Sequence, residues 1–249
     1  MEIAQNFFKS IDDEILKKAN DIINGKNPNI KLQMKENDNS GASVSQPNQF
    51  PIVVNVPIRN DIRQLYELIH ELTHTFDIEN GDTETRRVLG EIAPQCMERL
   101  LDDYLLGMSD EEMQKYGFDK KVIEKDVKTR RLMTFLTRYH NAVSLDRRTG
   151  NRELDSRYML AQIYSAHFNK FDKREKCYKL ISFIKCVQDD DFEKANETFG
   201  IQIGKDNKLQ REFYISDMIS EVYTLVKTQN VQNTKYKENT QENEQDIIK

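Results

Sequence analysis

PIVVNVPIRNDIRQLYELIHELTHTFD, residues 51–77, joins two hydrophobic periods. Its first seven residues, Pro51 to Pro57, are mostly β-branched and bracketed by prolines. Proline cannot donate into a ladder, so this segment reads as a strand whose prolines suit strand ends or a sheet edge. From Asn60 the spacing turns helical. Ile62, Leu65, Ile69, Leu72 and Phe76 make one apolar stripe, Asn60 or Asp61 can cap it, and Asn80, Gly81 and Asp82 stop it.

Upstream, Ile3, Phe7, Ile11, Ile15 and Ile22 fall at mostly helical spacing, so residues 3–23 read as one surface helix. The polar stretch 31–50 reads as a turn or hairpin. Downstream, a second helix is expected from about Glu84 to Leu106, with Pro94 as a kink or restart. Further helices are expected over 109–116, 119–143, 152–170, 173–187, 189–199 and 208–227. The fold class is therefore mainly α with a minor strand element. Residues 1–227 read as a single domain and 228–249 as a disordered polar tail.

Composition narrows the partners. Across 249 residues, 37 Lys and Arg against 42 Asp and Glu leave a net charge of −5 with both signs interspersed. That balance offers no electrostatic reason to bind nucleic acid or an anionic membrane. No apolar run approaches the roughly 18 residues of a membrane span, and the N-terminus lacks a signal-peptide core. Cys96, Cys177 and Cys186 fit neither a disulfide framework nor a metal knuckle, which favours reduced thiols and a cytoplasmic location.

Within the helix, His70, Glu71 and His74 form the pattern HExxH. Histidines at i and i+4 lie one above the other, so both imidazoles can reach one zinc ion, while Glu71 can act on a water held at the metal as general base. With only four His in the chain, chance yields on the order of 0.01 such triplets. Catalytic zinc sites use three protein ligands. Asp77, Glu79, Asp82, Glu84, Glu91 and Glu98 are candidates for the third; Asp77 is too near in sequence to swing round, and Glu91 is better placed on a returning helix. Glu91, Gln95, Glu98 and Asp102 form a polar stripe, and a solvated face competes with a reading in which Glu91 binds zinc and Glu98 buttresses a ligand histidine.

Within residues 41–106, the run from Gly41 to Leu101 resembles the catalytic core of the thimet oligopeptidase and oligoendopeptidase F family of zinc peptidases. Gly41-Ala42, PIVVNVP with Asn55, HELTH and GEIAPQCMERLL follow the family's order of turn, strand, metal helix and glutamate helix. The resemblance implies a zincin-like helical domain holding one zinc ion per chain through His70, His74 and Glu91. It also implies Glu71 as base, Glu98 behind a ligand histidine, and hydrolysis of a peptide or protein substrate. A fainter likeness over 152–227 implies that Tyr158 or Tyr164, with His167 third, steadies the oxyanion. Thr73 stands where the family has Gly, and the gap from His74 to Glu91 is short. The family's channel-forming N-terminal half has no counterpart in these 249 residues, so a more open cleft is expected.

His140 reads as an ordinary histidine, and Arg130-Arg131 and Arg147-Arg148 read as solvated faces or as clamps for a peptide carboxylate. An edge strand beside the metal helix would pair with an extended substrate. Two other functions compete: an effector-type protease, secreted by a bacterium without a cleavable signal and acting on one specific protein, and a non-catalytic binding module on a peptidase scaffold. Oligomeric state is not legible.

Overall fold

A computed structural model of the chain describes residues 1–36, 41–45, 50–59, 61–78, 81, 83–143 and 152–200. The expected helix 208–227, the tail 228–249, the Arg147-Arg148 pair and the side chain of His140 lie outside the described residues. The described chain is mainly helical, with ten helices and one small mixed sheet.

The N-terminal segment forms two helices, α1 (Glu2–Lys9) and α2 (Asp13–Ile23). The break comes at Asp12, whose carboxylate accepts the backbone N–H groups of Glu14 and Ile15. Asp12 is thus a helix cap, because a short carboxylate satisfies N–H groups that have no partner within the helix. Helix α1 is a surface helix with one buried face, Glu2, Asn6 and Lys9 facing outward. Phe7 and Phe8 are fully buried, stacking edge-on against Tyr104 and Phe76 at 5.6 and 5.7 Å between ring centres.

Strands β1 (Ile30–Lys35), β2 (Ser43–Val44) and β3 (Ile52–Pro57) line up in the order β1-β3-β2. β1 runs parallel to β3 and β2 runs antiparallel. PIVVNVP is therefore the central strand and not an edge. Its prolines do sit at the ends, while Ile52, Val54 and Val56 point into the core.

Helix α3 (Ile62–His74) starts where Asp61 accepts the N–H of Arg63, and it ends at Thr75, sooner than the Asn80-Gly81-Asp82 stop suggests. Gly81, in the left-handed region at φ +84°, belongs to the following loop. The helix expected from Glu84 to Leu106 divides into α4 (Glu84–Leu89) and α5 (Ile92–Gly107). Pro94 falls in the first turn of α5, where a missing N–H costs nothing, so the restart precedes the proline. Gly90 makes the break possible: a Cβ there would lie 2.5 Å from the carbonyl oxygen of Arg86.

The chain continues through α6 (Asp110–Lys115), α7 (Lys120–Val143), α8 (Arg152–Phe168), α9 (Lys173–Gln188) and α10 (Phe192–Thr198). One contiguous apolar cluster runs from Ile3 to Phe199. Helix α3 is pressed between β3 and α5, with Leu65, Ile69, Leu72 and Phe76 all buried. Leu72→Ala should cost about 2–5 kcal/mol of stability, read as a lowered urea midpoint. A loss below about 1 kcal/mol would show that this stripe does not anchor α3.

Candidate metal centre

The α-helical period puts His70 and His74 on one face of α3, their ring centres 4.9 Å apart. Glu91 comes to them from the break between α4 and α5. It occupies the N-cap position of α5, yet its side chain caps nothing there. Instead, Glu91 Oε2 lies 3.4 Å from His70 Nε2 and 3.7 Å from His74 Nε2. Two imidazole nitrogens and a carboxylate oxygen, all within 4.8 Å of one another, are the donor set of a borderline cation. Ligands 2.0–2.1 Å from a tetrahedral zinc stand about 3.3 Å apart, so the donors present fit that ion with small adjustments.

The far side of His70 is held as well. Its Nδ1 lies 2.7 Å from Glu98 Oε1; in the neutral imidazole with its proton on Nδ1, donated to that carboxylate, the Nε2 lone pair would face Glu91 and His74. Glu98 Oε2 in turn accepts from Arg130 Nη1 on α7. Next to this pair, Asp102 is fully buried and takes the Tyr66 hydroxyl, Arg130 Nη2 at 2.8 Å and Arg131 Nε at 2.6 Å.

These contacts set the proton equilibria. Burial works against a charged His70, but Glu91 and Glu98 outweigh it and hold the imidazole well above its ordinary value. His74 has no such second carboxylate, and burial pushes it down to about 4. Burial alone would raise Glu98; the Arg130 guanidinium and His70 bring it down to about 2. Glu71, 8 % exposed and next to His70, is pushed up to about 7 by burial, with the His70 charge opposing the rise.

Thr73, the residue at the family's glycine position, is buried without displacing the histidines, because its hydroxyl turns back to the Ile69 carbonyl at 2.7 Å. Asp77 turns away from the centre to meet Arg86 Nε at 3.0 Å. That guanidinium also reaches the His74 carbonyl at 3.4 Å and so ties the end of α3 to α4.

Among the tyrosines the structure separates the candidates. Tyr164 is buried, its hydroxyl donates to Asn196 Oδ1, and its ring packs on Phe199. His167 is engaged by the Phe199 carbonyl at 3.1 Å. Both are committed to holding α10 against α8. Tyr158 stays half-buried, one turn before Gln162, whose amide donates to Gln95 of α5 at 2.6 Å. It therefore lies on the α5-facing side of α8.

Arg130 and Arg131 form neither a solvated face nor a clamp for a substrate carboxylate, since both guanidiniums turn inward to Glu98 and Asp102. Tyr66 was not among the expected site residues, and neither Asp102 of the polar stripe nor Arg130 of the basic pair was expected to support the metal helix. The matched i, i+4 spacings of Tyr66 with His70 and of Glu98 with Asp102 carried the signal, but only the packing of α3 on α5 reveals that they face each other. Comparison of the chain with protein-family models, curated proteins and solved structures finds no match to any of them.

Proposed function

We propose that the chain is a zinc-dependent metallopeptidase whose metal is held by His70, His74 and Glu91. The observation that carries this reading is the convergence of Glu91 on both Nε2 atoms of the HExxH pair. A zinc ion bound by these three residues supplies Lewis acidity for a peptide carbonyl and acidifies water.

The protein residues do the rest. Glu71 is next to His70 and three residues before His74, so its carboxylate flanks the pair and takes the proton of the attacking water, later giving it to the leaving amine. Glu98 fixes the ring of His70. Tyr158 donates to the oxyanion, a role that the Asn196 bond of Tyr164 leaves to it. The outer strand β2, packed with β3 beside α3, offers Ser43-Val44 as the edge along which an extended peptide can lie.

Hydrolysis of a quenched peptide library, alongside intact test proteins, tests the reading. Activity is expected in the zinc-loaded chain, lost after chelation and regained on adding zinc. Activity that survives complete removal of metal would contradict it. Cleavage of intact proteins with peptides left untouched would favour a protein-directed protease over an oligopeptidase. No helix among the described residues is long and apolar enough to cross a membrane.

A further inference from the structure

We propose that Arg130 of α7 is a positioning residue of the metal centre, acting through Glu98 to hold the ring of His70 in its metal-binding orientation. The inference rests on the reading of the centre given above. Two pairs of residues one turn apart face each other: Tyr66 and His70 on α3, Glu98 and Asp102 on α5. They make two rungs, His70 Nδ1 to Glu98 Oε1 at 2.7 Å and Tyr66 hydroxyl to Asp102 Oδ1.

Arg130 spans both rungs from a third helix. Its Nη1 donates to Glu98 Oε2, its Nη2 donates to Asp102 Oδ1 at 2.8 Å, and its guanidinium carbon lies 3.7 Å from the centre of the Tyr66 ring. One planar cation thus meets two carboxylates and an aromatic face together, a match that a lysine point charge cannot reproduce. Glu98 is fixed at both oxygens, one by the imidazole and one by the guanidinium. Without Arg130 its carboxylate has a single anchor, and the two acidic side chains on consecutive turns of α5 repel each other, turning Glu98 away from His70. Arg131, with Nε 2.6 Å from Asp102 Oδ2, holds the outer rung and leaves Glu98 to Arg130.

The test uses the full chain with Arg130→Met, Arg130→Lys and Glu98→Ala. Zinc affinity is read by chelator competition, and the His70 Nδ1–H is read by proton–nitrogen NMR on the metal-free chain. Arg130→Met should weaken zinc binding about 10–100-fold, the range for groups that orient a ligand from behind, and abolish the hydrogen-bonded Nδ1–H signal, the result also expected of Glu98→Ala, which leaves no acceptor. Arg130→Lys should recover part of both. If Arg130→Met fails to fold, Arg130→Lys carries the test, and a shifted, broadened Nδ1–H is expected. Variants with the wild-type signal and wild-type zinc affinity would overturn the proposal. A wild-type chain that binds no zinc, yet loses the Nδ1–H signal in Arg130→Met, would uphold the positioning role and sink the metal reading instead.

Discussion

Glu71→Gln should keep its zinc and lose hydrolysis by about 10²–10⁴-fold, the range for removing a general base. The substitution is nearly isosteric, so the 8 % exposed side chain continues to fill its place on α3. Glu71 is not one of the three clustered donors, so the metal content of the variant should match that of the wild type. What is lost is the ability to accept a proton, because an amide has no basic carboxylate. The measurement is a paired one, metal content and turnover on the same preparation. A fully active Glu71→Gln chain would remove the proposed mechanism; a chain that loses metal and activity together would place Glu71 among the ligands.

Glu91→Ala should weaken metal binding enough for dialysis against a chelator to remove it. One ligand of about four in a zinc site accounts for roughly a quarter of 10–16 kcal/mol, about 3 kcal/mol, or some two orders of magnitude in affinity. The fold should tolerate the change. Glu91 is at the N-cap position of α5 with helical backbone angles, φ −84° and ψ −10°, and makes no side-chain cap that alanine would lose. The metal-free chain should lose only the stability that the Glu91 carboxylate gives through His70, read as a modest fall in its unfolding midpoint, while dialysis separates the zinc contents. Retention of a full equivalent of zinc by Glu91→Ala would exclude this residue as a ligand.

Much of this arrangement is legible from residue order, and the parts that are not have physical reasons. The period of α3 is local, set by side chains three and four apart, and so are the Asp61 cap and the HExxH pair. The strand character of β3 is also local, but its central place in the sheet is not. β1 has only one buried residue, Ile30, and pairs in parallel with a strand 22 residues on, at Ile30–Ile52, so its alternation is weak and its partner distant. The splits at Asp12 and at Gly90 escape a periodicity reading because the apolar stripe continues across both breaks; the cap and the missing Cβ decide them.

The site divides in the same way. Glu91 was reachable by sequence because it follows a short turn after the motif and because a family resemblance marks it, although no match supports that family. Arg130 and Asp102 were hidden, since a basic pair and an acidic stripe are each most often solvated faces. Only when α7 crosses α5 do their charges become one buried network. Tyr164 shows the opposite case: a tyrosine on the expected helix whose hydroxyl the fold assigns to Asn196.

X-ray absorption at the zinc edge of the metal-loaded full chain tests the central claim most directly. The three clustered donors predict one zinc per chain with two imidazole nitrogens at about 2.0–2.1 Å, oxygen neighbours at similar distance and no sulfur. Sulfur scattering from a cysteine, absence of the imidazole signature, or a chain that takes up no zinc would contradict it.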